Sequence, residues 1–548
     1  MAEERISPKH DMSFMGSWLI YGALAIGMGS AVAMLLNHSY HTETIPALYL
    51  YRNGAESSFC PQVPKLSPEN KQIEQYVWDK VNSPFYQEEM IQKLSGIIRI
   101  PSESFDNLGS IGEDTRWEIF FQVENYLKTM YPAVFQNVKL DHANTHGLIL
   151  TWNGSIAPSE AKPILMLAHQ DVVPVLAENV KDWTHPPYDG HYDGEIIWGR
   201  GATDDKGYLI SIIESLDLLI QSGFRPKRTI ILAFGCDEEI SGENCGRPIA
   251  NFLYEEYGDD GIYLIMDEGA TGIQREYGQS FAMVGVSEKG YLDVGINVSS
   301  TGGHASNPLI IMSLCGAIHA PESSFSEAMR HKLGKVAQND SISQMQLAQD
   351  FDDLKYFFTT TQSVGKINGG VKINAIPETA SVMVNLRLAV ESSIADIKRH
   401  YELLVRPIAE RHGIMFAGFD APCESSLKRG ICLYGIDALE PAPVSPLDVE
   451  SFRILSGTIK NVLKPLQGDR ELIVTPYLMP ANTDTKFFWS LTRNIYRFTP
   501  VNLVENLNRA HTTDEFIRAN EFVREPLFFV SLILNADDVA GRKGENVD

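Results

Sequence analysis

The chain has 548 residues, of which 44% are hydrophobic, 10% aromatic and 21% charged, a composition typical of a folded protein. Because a domain with a single hydrophobic core rarely contains this many residues, two or more domains are expected. The formal net charge of -24 argues against a nucleic acid partner, since phosphate binding needs a basic face; it is otherwise typical of solubility.

The N-terminal region predicts a membrane anchor. Residues 14–36 carry no charged side chain across 23 positions, about the length that a helix needs to cross a bilayer core of roughly 30 Å. Arg5 and Lys9 precede this run, which favours a cytosolic tail at 1–13 and a type II orientation. A cleaved signal peptide is the alternative, although its apolar core is usually only about 7–15 residues long. Everything after residue 36 is therefore expected in a lumen or outside the cell.

The remaining chain predicts two folded domains. Residues 37–70 are rich in Ser, Asn, Pro and His and are expected to form a stalk. From 71 to 288, helical and strand patterns alternate, which predicts an α/β domain with parallel strands. Residues 289–424 combine alternating strand patterns with a long helical segment and indicate a second, α+β domain inserted into the first. Residues 425–548 are expected to return to the first domain.

Sequons and cysteines are compatible with a lumenal location. Asn-X-Ser sequons occur at Asn37, Asn153, Asn297 and Asn339. Cys423 and Cys432 flank a short loop-like segment and are predicted to form a disulfide. Cys236 and Cys315 lie in apolar contexts and are expected to be buried thiols.

Three short apolar runs each end in side chains that can bind a metal. The runs at 164–168, 229–234 and 262–266 are typical of buried strands. The side chains that follow them are His169 and Asp171, then Asp237, Glu238 and Glu239, then Asp267 and Glu268. Because ligands of α/β sheets bind beyond the carboxyl ends of the strands, these groups are expected to converge. Crowded carboxylates need a cation, and zinc prefers mixed His and carboxylate ligands.

The complete series of motifs resembles a known enzyme family. In chain order it comprises His169-Gln170-Asp171, Gly199 to Gly207 (GRGATDDKG), Asp237-Glu238-Glu239, Asp267-Glu268-Gly269, Gly302-Gly303-His304-Ala305 and His511. This series resembles the di-zinc amidohydrolase superfamily of aminoacylases, carboxypeptidase G, succinyl-diaminopimelate desuccinylase and carnosinases. The resemblance covers roughly residues 70–535 and is strongest to the carboxypeptidase S group and its secreted relatives that act on N-acyl amino acids.

The resemblance implies two zinc ions per subunit. The implied ligands are His169, Asp204, Glu239, Glu268 and His511. Asp204 would bridge both ions, and Asp267 is the alternative to Glu268 because relatives differ in the acid used. Asp171 would hold the second ring nitrogen of His169 and so fix its orientation. The family also has a cis peptide between the residues that correspond to Asp204 and Asp205.

Further roles follow from the same resemblance. Glu238 would be the general base that takes a proton from the metal-activated water and passes it to the leaving nitrogen. His304 would help to stabilise the oxyanion, although a lone His in a glycine turn is more often structural. Asn374 and Arg387 match residues that hold the substrate carboxylate. The family often has Asp where this chain has Asn385, which leaves the partner of Arg387 open.

The expected protein is a membrane-anchored, lumenal zinc carboxypeptidase acting on short peptides, most closely like vacuolar enzymes. The first alternative is an N-acyl amino acid hydrolase, and the second is an inactive ectodomain. The expected fold is a zinc-peptidase domain with a mixed, mainly parallel sheet and an inserted ferredoxin-like lid domain. Lid domains of this type commonly form homodimers in relatives, although some relatives are monomers, so the sequence leaves both the homodimer and the monomer open.

Overall fold

The computed structural model describes residues 62–269, 271–276, 278–299, 303–304, 359–370, 372, 374–423, 429–502 and 509–542. The predicted anchor at 14–36, the sequons at Asn37 and Asn339, and Cys315 lie outside these ranges. Among the residues described, no helix has both the length and the apolar character needed to cross a membrane. The described residues form two compact units: one takes those within Ser287–Pro443 and Leu478–Asn482, and the other takes the rest of the described residues.

The described helices and strands are numbered here in chain order. The α-helices are α1 (Lys71–Val81), α2 (Pro84–Ile98), α3 (Ile119–Met130), α4 (Pro132–Asn137), α5 (Lys206–Gln221), α6 (Gly246–Tyr257), α7 (Ile394–Arg411), α8 (Glu450–Val462), α9 (Ala519–Phe522) and α10 (Glu525–Asp538). The strands of the first unit begin with β1 (Lys139–Ala143), β2 (Gly147–Trp152), β3 (Ile164–His169), β4 (His191–Tyr192), β5 (Ile196–Trp198), β6 (Ile230–Gly235), β7 (Leu264–Asp267), β8 (Ile273–Glu276) and β9 (Gln279–Glu288). The remaining strands are β10 (Gly290–Ser299), β11 (Gly303–His304), β12 (Thr361–Gly369), β13 (Ala375–Ile376), β14 (Thr379–Leu388), β15 (Met415–Ala417), β16 (Gly430–Leu439), β17 (Leu472–Met479), β18 (Ile495–Arg497) and β19 (Phe516–Arg518).

The first unit is built on a nine-stranded mixed sheet with the order β1-β2-β6-β3-β7-β18-β9-β17, in which β8 pairs with β9. Strands β6, β3, β7 and β18 run parallel to one another at its centre. Antiparallel pairs flank them, with β2 beside β6 on one side and β9 beside β18 on the other. Strand β1 pairs with β2 through a tight turn with positive φ at Asn144 and Thr145. The predicted mixed α/β sheet is therefore confirmed, but its parallel part is limited to the four central strands.

The apolar runs of the sequence become the buried centre of this sheet. Every residue of β2, β3, β6 and β7 is buried. Helix α5 is buried along almost its whole length and packs against α10 and β3, and α10 is buried to a similar extent. The carboxyl ends of β3, β6 and β7 therefore lie at one edge of a rigid core.

Residues 62–66, which fall in the predicted stalk, pack on the first unit. The Gln62 side chain exchanges two hydrogen bonds with the backbone of Val474, at 3.1 and 3.0 Å. The backbone N–H of Leu66 donates to the carbonyl of Gly457 in α8 at 2.9 Å. A free stalk would therefore have to end before Gln62.

The second unit contains a five-stranded sheet in the order β12-β14-β10-β16-β15, with α7 packed on it. Its pairs are antiparallel except for the parallel pair of β15 and β16. The unit extends to Pro443, beyond the expected return to the first domain at 425, because β16 pairs with β10 over most of its length. Local composition could not predict this pairing, because β10 and β16 lie far apart in the sequence.

Candidate metal centre and active site

His169 is the last residue of β3, and its ring is held at both nitrogens. The side chain is 2% exposed, and Nδ1 lies 3.0 Å from the backbone carbonyl of Asp171 and 3.4 Å from its carboxylate. Nε2 lies 3.0 Å from Oδ1 of Asp204. Burial opposes a charge on the ring, but hydrogen bonds to Asp171 and Asp204 raise the pKa of His169 well above its usual value. The ring orientation is therefore fixed by contacts on both sides.

The carboxylate of Asp204 lies between two imidazoles. Its Oδ1 faces Nε2 of His169 at 3.0 Å, and its Oδ2 faces Nε2 of His511 at 3.0 Å. The same nitrogen of His511 lies 3.1 Å from Glu239. Burial acts to raise the pKa of Asp204, but the two histidines hold it below its usual range. The peptide bond between Asp204 and Asp205 is cis.

Two further acids approach this cluster. His169, Glu238 and Glu268 line one recess of the first unit together with Asp267 and apolar side chains from β3 and β6. Burial raises the pKa of Glu268 well above its usual value, and the charges of Asp204 and Asp205 add to this rise. Burial likewise raises the pKa of Glu238, with a further contribution from neighbouring carboxylates. Charge repulsion of this kind is what a bound cation would relieve.

Asp171 connects His169 to the glutamate pair. It is fully buried and accepts hydrogen bonds from the backbone N–H of Glu238 at 3.1 Å and of Glu239 at 3.2 Å. The hydroxyl of Ser104 donates to the same carboxylate at 2.7 Å. One buried carboxylate thus fixes both the ring of His169 and the backbone from which Glu238 and Glu239 project.

The donor set could hold a divalent metal. Ligand atoms of His169, Asp204 and Glu239 lie within 4.8 Å of one another, and His511 contacts the last two. Imidazole nitrogens mixed with carboxylate oxygens suit zinc, and a carboxylate with one oxygen facing each side could reach two ions. The residues present therefore fit a two-zinc centre.

The loop that carries Glu238 and Glu239 is closed by a disulfide between Cys236 and Cys245. Their Cα atoms lie 5.5 Å apart, and both residues are fully buried. The prediction that Cys236 is a free thiol was therefore wrong, because its partner arrives only when the chain turns from β6 into α6. The predicted disulfide between Cys423 and Cys432 is confirmed. Asp237 adds a second closure, accepting from the backbone N–H of Cys245 at 2.9 Å.

Removal of this disulfide tests its importance for the site. The double variant C236S/C245S is expected to lose about 2–3 kcal/mol of unfolding free energy, because the open loop regains conformational freedom in the unfolded chain. The kcat is expected to fall by less than about tenfold, since Asp237 still closes the loop. Thermal unfolding and steady-state kinetics measure both effects.

The disulfide between Cys423 and Cys432 offers a matched control, because both bridges have a sequence separation of 9. The variant C423S/C432S is expected to lose similar stability without a change in kcat. An unchanged melting temperature in C236S/C245S would contradict the assigned role.

Asp484 lies against the same loop. A Cβ atom at Gly235, Gly242 or Gly246 would lie within 2.7 Å of the Asp484 side chain, so glycine is needed at all three positions for this close approach. Burial raises the pKa of Asp484 well above its usual value. We interpret Asp484 as a scaffold residue that packs against the start of α6.

In the second unit, the backbone brings two predicted residues together. His304 on β11 is paired with Ala375 on β13. Since Asn374 directly precedes Ala375, the backbones of His304 and Asn374 lie close together. Arg387 lies on β14, where its guanidinium is 3.4 Å from Oδ1 of Asn482 and 5.8 Å from the ring centre of Tyr291. These contacts supply the partner that the sequence left open.

Asn385, which replaces the expected Asp, bonds to an acid on the adjacent strand. Its side-chain N–H donates to Asp293 on β10 at 2.6 Å. Asn385 and Asp293 are paired in the register of β10 and β14. The carboxylate missing from β14 is therefore present one strand away.

The sequence prediction gave no supporting contact for three residues of the site, which are Ser104, Asp205 and Glu515. It named Asp205 only for the cis peptide bond. Asp205 accepts a hydrogen bond from the backbone N–H of His169 at 3.2 Å. Glu515 is fully buried four residues after His511, and an acid so close to a predicted ligand was the available signal. Ser104 gave no such signal, because it lies 67 residues from its partner Asp171.

Comparison with known proteins places this geometry in a family. The model of peptidase family M20/M25/M40 matches residues 165–535. Carboxypeptidase S of Saccharomyces cerevisiae is 32% identical over 538 residues, which cover 89% of this chain and 91% of that protein. An N-fatty-acyl-amino acid synthase/hydrolase of Bos taurus is 29% identical, with 84% of this chain and 90% of that protein covered.

Solved structures show the same fold at low sequence identity. Human carnosine dipeptidase 1 is 13% identical with a TM-score of 0.56, and the match covers 86% of this chain and 100% of that one. An M20 family metallo-carboxypeptidase from Sulfolobus solfataricus is 16% identical with a TM-score of 0.56, covering 82% of this chain and 99% of that one.

The fold and the relatives define a hydrolase of the metallopeptidase class. The chain belongs to peptidase family M20/M25/M40, and among its relatives are carboxypeptidase S and related carboxypeptidases. The family resemblance drawn from the sequence motifs is thus confirmed.

Proposed function

We propose that this protein is a zinc-dependent carboxypeptidase that hydrolyses the C-terminal amide bond of short peptides. The observation that carries the proposal is the position of Asp204, whose two carboxylate oxygens each lie 3.0 Å from a different histidine. Two ions could share this carboxylate: His169 and Glu268 would hold one ion, and His511 and Glu239 would hold the other. Asp171 would orient His169.

The chemistry divides between the metals and the protein. When bound, zinc would acidify a water molecule and polarise the scissile carbonyl. Glu238 would accept the proton of the attacking water and then donate it to the leaving nitrogen. In the second unit, His304 would stabilise the oxyanion, and Asn374 and Arg387 would bind the substrate carboxylate.

The N-acyl amino acid hydrolase is the second candidate, because a relative of that name is 29% identical over 84% of this chain. Both reactions release an amino acid from an amide and differ in the acyl side. The peptidase is favoured by carboxypeptidase S, which is 32% identical over 89% of the chain.

A substrate comparison on the purified full chain separates the two. We expect kcat/KM for a blocked dipeptide with C-terminal leucine to exceed that for N-oleoyl-leucine by at least about tenfold, equivalent to about 1.4 kcal/mol in transition-state binding. Chelation of zinc is expected to abolish both activities, and added zinc to restore them. The opposite ranking would assign the protein to the hydrolases of N-acyl amino acids, and activity that resists chelation would refute the metal mechanism.

The proposed location is the lumen of a vacuole, with the chain anchored by residues 14–36 and a homodimer as its assembly. Two disulfides in the described chain support an oxidising compartment. The sequon at Asn153 lies on an exposed residue, as glycosylation requires.

A further inference from the structure

Glu515 is a buried carboxylate that contacts the loop of Asp204 through both oxygens. Its Oε1 accepts hydrogen bonds from the backbone N–H groups of Gly201 at 3.0 Å, Thr203 at 3.0 Å and Asp204 at 3.2 Å. Its Oε2 accepts from the guanidinium of Arg200 at 2.5 Å. The side chain of Glu515 is fully buried, and these three backbone N–H groups and one guanidinium stabilise its negative charge.

The backbone around Glu515 is bonded to the same loop. The N–H of Gly199 donates to the carbonyl of Glu515 at 2.9 Å, and the hydroxyl of Thr203 donates to the carbonyl of Phe516 at 2.7 Å. Strand β19 pairs with β5, with Phe516 opposite Trp198. The chain after His511 is therefore joined at several points to the chain before Asp204.

These contacts connect two of the proposed metal ligands that are distant in sequence. Asp204 is bonded to Glu515 through its own backbone N–H. His511 lies four residues before Glu515 in the chain. Arg200 is held in turn, with its guanidinium 5.5 Å from the ring centre of Trp183. A shift of Glu515 would move Asp204 relative to His511, whose nitrogen lies 3.0 Å from the Asp204 carboxylate.

We propose that Glu515, paired with Arg200, is a positioning residue that holds the Asp204 carboxylate against His511 and thereby sets the affinity of the centre for both zinc ions. The inference rests on the proposed two-zinc function. It predicts an effect on metal binding itself, because a carboxylate shared by two ions affects both when it is displaced.

The variant Glu515→Gln tests this role with little change in size. Its amide oxygen can accept from the loop N–H groups, but its NH₂ group then faces the guanidinium of Arg200, so one set of contacts is lost. We expect zinc affinity to fall by about 10- to 100-fold, as for other residues that support metal ligands. Competition with a chelating dye on the metal-free chain gives the affinity, and metal analysis gives zinc per chain.

The pair of Lys93 and Glu214 supplies a matched control. It is also a buried ion pair of the first unit, with both side chains 2% exposed and 2.7 Å between the charged atoms. Glu214→Gln is expected to lower the melting temperature about as much as Glu515→Gln while leaving zinc affinity unchanged. Equal zinc affinity in Glu515→Gln and the native chain would overturn the inference, as would an equal loss in Glu214→Gln.

Two further variants extend the test. In E515Q/R200M the conflict between the amide and the guanidinium is removed, so zinc affinity is expected to recover in part, which a purely structural defect would not show. If Glu515→Gln does not fold, Arg200→Lys keeps a cation with a different geometry and is expected to weaken zinc binding by about threefold or more. Unchanged affinity in Arg200→Lys would then overturn the inference. Absence of tight zinc binding in the native chain would instead refute the proposed function.

Discussion

Glu238→Gln is expected to lower kcat by about 10³-fold while two zinc ions remain bound. Glutamine has the same shape but cannot accept the proton of the attacking water. The backbone N–H of Glu238 still donates to Asp171, so the ligands His169 and Glu239 keep their positions. Steady-state kinetics with the blocked dipeptide and metal analysis of the same sample measure the two parts of this expectation.

Glu243 offers the control for Glu238, since it lies in the same loop between Cys236 and Cys245. Its side chain is exposed and pairs with the exposed Arg247 on the surface, so Glu243→Gln is expected to leave kcat within about twofold. A Glu238→Gln enzyme with native kcat would refute the assigned base. Loss of zinc together with activity would show instead that Glu238 supports metal binding.

The part of the site formed by β3, β6 and β7 could be predicted from the sequence for a physical reason. Each strand is a continuous buried run, and the side chains that follow it must emerge at the carboxyl edge of the sheet. Period and polarity therefore placed His169 and Glu238 near each other without knowledge of the fold. The approach of His511 needed the family resemblance, because 272 residues separate it from Glu239.

The contacts that sequence could not predict are those between segments with no local pattern. Ser104 reaches Asp171 across 67 residues, and Glu515 reaches Gly201 across 314. The disulfide partner of Cys236 was missed although it is only 9 residues away, because burial of one cysteine does not reveal which other thiol it meets. The same limit applies to the domain boundary, since β16 joins β10 through pairing that no composition change marks.

Asp204→Asn is expected to have the largest effect of any single change at the site. The amide keeps the size of the carboxylate but has one oxygen and no charge, so it cannot face His169 and His511 with an acceptor on each side. We expect both zinc ions to be lost together, so that zinc falls from two ions per chain to well below one, and we expect kcat/KM to fall by more than about 10⁴-fold. Metal analysis after dialysis against a defined zinc buffer, with kinetics on the same sample, measures both.

Asp217→Asn controls for the loss of a buried aspartate in the same unit. Asp217 lies on α5 and accepts a hydrogen bond from Gln221 at 2.5 Å, away from the metal ligands. This variant is expected to bind two zinc ions and to keep its kcat, because the side chain of Asp217 is bonded to Gln221 and not to a proposed metal ligand. For Asp204→Asn the loss of zinc should be concerted: because Asp204 would bind both ions, the two ions should dissociate together. If Asp204→Asn kept one ion at native affinity and lost the other, the two sites would be independent, and Asp204 would be a ligand of one ion alone.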